Sequence, residues 1–136
     1  MTPSGVLETI VYAEDLASAQ AFYRDVLGLE PMSVVPGRHL FYRFDDHMLL
    51  VFNPVATSKP RPSADQQIPL HGGLGPGHVC FRSSASELDL WRSRLESKGV
   101  AIEADFEWPN GGRSIYFRDP AGNSLEFAEP RIWGLE

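Results

Sequence analysis

Short stretches in which apolar residues alternate with polar ones, and two longer stretches in which they return every three or four positions, follow one another in an order that occurs twice. Val6 to Ala13 (VLETIVYA) is rich in β-branched residues, with Glu8, Ile10 and Tyr12 on one face and Leu7, Thr9 and Val11 on the other. Asp15 is placed to cap a helix whose apolar stripe is Leu16, Ala19, Phe22 or Tyr23, and Val26 or Leu27, and Gly28 is placed to stop it. Strands are expected next over Pro31 to Val35, Arg38 to Phe44 and Met48 to Phe52, separated by the turns Pro36-Gly37 and Asp45-Asp46. The pattern then restarts. His78 to Arg82 reads as a strand, Ser84-Ala85-Ser86-Glu87 matches a capping box, and Leu88, Trp91 and Leu95 form the stripe of a helix ending at Gly99. Three more strands follow, Val100 to Trp108, Ser114 to Phe117 and Ser124 to Ala128. Their connections, Pro109-Asn110-Gly111-Gly112 and Asp119-Pro120-Ala121-Gly122-Asn123, are both turn chemistry.

The chain therefore reads as α+β, two tandem βαβββ modules. Module one spans 5–53 and module two 77–129. Between them, 54–76 holds five of the 11 prolines and reads as a linker without an element of its own. Aligning the helix-ending glycines Gly28 and Gly99 places Glu8 opposite His78, and Leu50 opposite Glu126. A module of about 50 residues is too small for a convincing core of its own. The two are expected to make a single domain over 1–136, each sheet covered by its helix on one face and curled around a cavity on the other.

Composition adds exclusions. A net charge of −6 argues against nucleic acid or an anionic membrane surface as the main partner, since both call for a basic face. No apolar run is long enough to span a bilayer, and the start, MTPSGVLETI, lacks a signal-peptide profile, so a cytoplasmic protein is expected. Cys80 is the only cysteine, which leaves no intrachain disulfide.

Glu126 raises the question of chemistry. It lies mid-strand between Leu125 and Phe127, where a carboxylate is costly unless something cationic meets it. Glu8, among Leu7, Thr9, Ile10 and Val11, is expected to share the problem, and His78 opens a strand continuing Val79-Cys80-Phe81. All three sit on even positions, which can face one cavity. Two readings stand side by side. The carboxylates can pair with Arg38, Arg43, Arg82 or Arg113, with His78 a structural residue; or one divalent metal ion can join Glu8, His78 and Glu126. Two glutamates and an imidazole suit zinc, manganese, iron, nickel or cobalt, and three protein donors leave positions open for water or substrate.

The segments LETIVYAEDLASAQAFYRDVLGLE, GPGHVCFR and YFRDPAGNSLEFAEP resemble the vicinal oxygen chelate (VOC) superfamily, which groups glyoxalase I, bleomycin resistance proteins, fosfomycin resistance proteins and extradiol dioxygenases. The likeness covers nearly the whole chain outside the linker and the last few residues. It implies paired modules around a metal-binding cavity, with ligands from the first and last strands of each copy. Carried over by position, these are Glu8, His78 and Glu126. Leu50 stands where glyoxalase I has a fourth ligand and cannot coordinate, so it is expected to line the cavity instead. The three-ligand pattern resembles the dioxygenases and fosfomycin thiol transferases, which typically have histidine where Glu8 stands. Two carboxylates neutralise a divalent ion, which favours chelation of a bidentate oxygen substrate over generation of hydroxide.

The resemblance implies a divalent-metal-dependent enzyme of glyoxalase or dioxygenase type, a lyase or an oxidoreductase, acting on a small oxygenated substrate, with Glu126 or Glu8 as base. A homodimer is expected. Substrate contacts are expected from Tyr116, Cys80, Leu50 and Arg82, although Cys80 also suits an inert core position and Arg82 a solvated one. His71 is a candidate cap of the pocket, while His39 and His47, on odd positions, are expected to point away from it. Alternatives are a non-catalytic drug-binding protein of bleomycin-resistance type, which would not need the Glu–His–Glu set, and a fosfomycin-resistance-like thiol transferase, which would need a cationic pocket.

Overall fold

Both helix starts are made by the residues that the pattern marks. In the computed structural model, which describes residues 1–136, Asp15 accepts from the Ser18 backbone N–H at 3.0 Å and opens α1 (Leu16–Asp25). The Ser84/Glu87 capping box opens α3 (Ala85–Ser97) with both reciprocal bonds formed. Gly28 and Gly99 follow the two helices with φ of 69° and 71°, a conformation that glycine adopts without a Cβ penalty.

The chain divides into two compact units, Met1–Pro76 and Gly77–Glu136. Unit one contains β1 (Glu8–Tyr12), α1, β2 (Ser33–Val35), β3 (His39–Arg43), β4 (Met48–Phe52) and a short α2 (Pro54–Thr57). Its sheet runs β1-β4-β3-β2, with β1 parallel to β4 and the other pairs antiparallel. One face packs on α1: Val11, Leu40, Tyr42, Leu49 and Val51 are each at most 1% exposed, and Leu16, Ala19 and Tyr23 come from the helix. Segment 54–76 differs from the element-free linker expected. Asn53 caps α2 by accepting from Val55 N–H, and Pro54 occupies its first turn, a helix-start signal within the proline count.

Unit two repeats the plan with β5 (His78–Arg82), α3, β6 (Ala104–Glu107), β7 (Arg113–Arg118) and β8 (Ser124–Ala128), in the order β5-β8-β7-β6. The face under α3 buries Ile115, Phe117, Leu125 and Phe127 against Leu88 and Leu95, with Trp91 stacked on Phe127 at 4.3 Å. Arg113 joins this helix to the sheet, donating to Asp105 of β6 (2.7 Å) and Asp89 of α3 (2.6 Å). A 3-10 turn over Pro130–Trp133 ends the chain's ordered elements, and Gly112 admits it: a Cβ there would stand 2.3 Å from Ile132 Cγ2.

Candidate functional site

In each unit the face away from the helix carries the candidate residues. Parallel pairing of β5 with β8 sets Cys80 beside Glu126, and antiparallel pairing of β7 with β8 sets Tyr116 on its other side. Leu125 and Phe127 go into the core, so Glu126 must project from the opposite face. It is nevertheless only 4% exposed, and its Oε1 has no hydrogen-bond partner. An unsatisfied buried carboxylate oxygen costs about 1–3 kcal/mol or more.

His78 approaches that carboxylate in a defined tautomer. Its Nδ1 lies 2.9 Å from the Ser124 carbonyl, which can only accept, so Nδ1 carries the proton. Nε2 then faces Glu126 Oε2 at 3.3 Å. A neutral imidazole lone pair and a carboxylate repel at that distance, so a proton or a cation belongs between them. A backbone carbonyl that orients one ring nitrogen and leaves the other for a metal is the usual outer-shell support of a histidine ligand. The pair thus offers two donors of the kind that a divalent ion takes.

The position of His78 is fixed by the turn before β8. Asn123 is 1% exposed; its Oδ1 accepts from Gly77 N–H at 2.8 Å, and its Nδ2 donates to Asp119 at 2.9 Å. Unit one uses another residue at the same place in its repeat. His47, one residue before β4, bonds Thr9 Oγ1 at 2.6 Å and the Val6 carbonyl at 3.1 Å, fastening the start of β1 next to Glu8. Neither role follows from alternation along a strand, because both residues act from turns.

The flanking groups are held neutral. Burial, then hydrogen bonding to the Glu126 carboxylate, pushes the Tyr116 phenol up to about 12. Burial and the charge of Glu126 push the Cys80 thiol up to about 12 as well. Cys80 is exposed as a residue, not a core position as one reading had it, and the Glu126 charge acts on its thiol across the strand pair. An aromatic ladder runs over this face: Trp108 against Phe106 (4.9 Å), Phe106 on Tyr116 (5.8 Å) and Tyr116 on His78 (6.2 Å). Arg82, one rung beyond Cys80, donates to the Glu136 carbonyl at 2.5 Å.

In unit one, Glu8 is exposed and its side chain has no hydrogen bond or ion pair, so the burial expected for it is absent. It stands in a row with Met48 and Arg43. The next row is Ile10, Leu50 and Phe41, with Leu50 6% exposed. The third is Tyr12, Phe52 and His39. His39 therefore shares the open face, contrary to the expectation from odd numbering, because β3 pairs odd residues with even ones of β4. It stacks on Phe41 at 3.7 Å. His71 reaches the same row from 54–76, with Nδ1 2.7 Å from the Tyr12 hydroxyl. Neither unit by itself groups three His, Cys, Asp or Glu side chains as for a metal ion. No helix is long and apolar enough to cross a membrane.

Residues 5–127 match the profile of the Glyoxalase/Bleomycin resistance protein/Dioxygenase superfamily. A crystal structure described as lactoylglutathione lyase from Agrobacterium tumefaciens is 46% identical, with TM-score 0.91 and 99% of this chain and 100% of that chain covered. Two more distant structures share the fold. TnmS3, an antibiotic binding protein from Streptomyces sp. CB03234, is 24% identical over 96% of this chain and 98% of its own, with TM-score 0.69. The fosfomycin resistance protein FosX from Listeria monocytogenes is 19% identical over 94% of each chain, with TM-score 0.67. No curated protein matches the chain. With its paired βαβββ units and a profile match over residues 5–127, the chain belongs to the glyoxalase/bleomycin resistance protein/dioxygenase superfamily.

Proposed function

We propose that the protein is a divalent-metal-dependent lyase of glyoxalase type, with Glu8, His78 and Glu126 as its metal ligands. The observation that carries this reading is the Nε2–Oε2 contact of 3.3 Å beside an orphaned buried Oε1, with the other imidazole nitrogen already committed to Ser124. The likeness at 46% identity to a lactoylglutathione lyase supports a substrate of the same class, the hemithioacetal of a 2-oxoaldehyde and glutathione. When bound, the metal would supply positive charge for the two adjacent oxygens of such a substrate. Glu126 Oε1, which lacks a donor, would accept the proton from the carbon bearing sulfur and hydroxyl and return it to the neighbouring carbonyl carbon, while the hydroxyl proton passes to the former carbonyl oxygen. The isomerisation balances without an oxidant. Tyr116, kept neutral, would hold the carboxylate in place. Leu50 replaces the fourth ligand of glyoxalase I with an apolar wall, which leaves more coordination positions to substrate.

Metal analysis of the purified protein and turnover of the methylglyoxal–glutathione adduct test this reading. Near-stoichiometric Zn, Ni, Co, Mn or Fe, lost in His78→Ala, is expected. Failure of every divalent ion to bind tighter than about micromolar, roughly −8 kcal/mol, would end it. Cleavage of a catechol by an iron- or manganese-loaded protein would move the assignment to a dioxygenase. A second reading, a non-catalytic binder of flat molecules, draws on the ladder from Trp108 to His78. There, His78→Ala would keep ligand affinity.

A further inference from the structure

Unit one holds a second polar site that the metal reading leaves unused. A cleft with about 20 Å³ of inner space is bordered by Arg38, Thr57, Lys59, Arg61, Gln66 and Gln67. Three of these carry positive charge in a chain of net charge −6, and none of the three forms an ion pair. No acidic side chain borders the cleft. Asp65, the sole acid of 54–76, lies outside its lining.

Like charges gathered without a counter-ion raise one another's energy unless an anion joins them. The field is felt nearby: His39 is held below its usual range by burial and then by the charges of Arg38 and Arg61. Arg38 is itself held down by burial and by Arg61. Its only side-chain bond is a long one, 3.4 Å to the Ala56 carbonyl, so most of its fork is unoccupied. The loop bearing Arg61 is shaped in advance. Gln67 Nε2 donates to the Ala64 carbonyl at 2.7 Å and to the Arg61 carbonyl at 3.3 Å. Ala64 N–H closes the same loop on the Arg61 carbonyl at 3.0 Å.

We propose that this cleft binds an oxyanion, the carboxylate or phosphate group of a small organic molecule. Two guanidinium forks and an ammonium match such a group by charge and geometry. The inner space suits one terminal group in place of a water molecule rather than a whole ligand. The cleft lies beyond the His39 end of β3, whereas Glu8 shares a row with Arg43 at the other end. These rows are about 13 Å apart at strand spacing. The site is thus separate from Glu8 and stands whether or not a metal binds.

Titration calorimetry of the full chain with inorganic phosphate, and separately with succinate, tests the proposal. Saturable binding is expected, weakening between about 20 mM and 500 mM NaCl as screening grows. Arg61→Gln and Lys59→Gln, both in an exposed loop and no threat to folding, should each weaken it about tenfold, while Lys98→Gln in unit two should not. Preference for phosphate assigns a phosphate ester, and preference for succinate a carboxylate. Absence of saturable binding by either anion, or equal affinity in native protein, Arg61→Gln and Lys59→Gln, overturns it.

Discussion

Glu126→Gln keeps the shape of the side chain and removes its charge, which makes it the sharpest probe of the site. If Glu126 and His78 share a metal ion, this change should lower metal affinity at least about hundredfold, read by competition with a chromophoric chelator. The same variant tests the electrostatics independently of any metal. The Cys80 thiol is raised to about 12 by burial first and by the Glu126 charge second. Removing the charge should lower it, so alkylation of Cys80 near pH 9 should run several-fold faster in the variant, measured by intact mass. Equal rates would mean that the carboxylate does not act on the thiol. Tyr116 gives the matching pH behaviour. Its folded value, about 12, lies above the ordinary 10.0, so the neutral form is the one favoured in the fold. Its stabilising contribution is whole below pH about 10 and is lost as pH climbs through about 12. Phenolate absorbance of native protein should therefore develop later than that of Tyr116→Phe scaled to equal tyrosine content. Tyr42, also raised to about 12 by burial, should remain late in both.

At the scale of elements, the turn before β8 carries more than its length suggests. Asn123→Ala removes the acceptor for Gly77 N–H and the donor to buried Asp119. A loss of about 2–4 kcal/mol in urea unfolding is expected, with weaker metal binding because His78 follows Gly77 directly. Gly112→Ala should act differently. Its Cβ would meet Ile132 Cγ2 and lie 3.2 Å from Ile132 backbone nitrogen, so the 3-10 turn must shift. Tryptic cleavage after Arg131 should quicken while the sheet stays intact. β4, β5 and β8 were legible to the residue because turn residues bound them and both their neighbours are decisive. β3 was not, since Leu40 and Tyr42 on one face and His39 and Phe41 on the other are all plausible core residues. Only pairing of Phe41 with Leu50 settles which face is which. The burial of Glu126 was readable because its conflict with Leu125 and Phe127 shows within β8 alone. The fastenings by Asn123 and His47 were not, because they join segments about 40 residues apart or more.

For the whole molecule, the proposed ligand set raises the question of which copy of Glu8 would meet His78 and Glu126. Glu8 belongs to unit one, the other two to unit two, and neither unit alone assembles three donors. The superfamily is commonly dimeric, and a two-fold dimer can supply Glu8 from one copy and the pair from the other. The two arrangements give opposite results in a mixing experiment. Glu8→Ala and His78→Ala variants are each expected to be inactive and metal-poor. In a mixed dimer with shared sites, one site collects both defects and the other collects none, so an intact site reappears. Random pairing makes half of the dimers mixed; once these are isolated, half of their sites are intact, which restores about half of native metal content and turnover. With sites confined to one chain, every site keeps its own defect and nothing returns. We expect restoration, on co-expression with distinguishable tags followed by tandem purification. A mixed dimer that forms in good yield yet holds no more metal than its parents would place all three ligands within one chain.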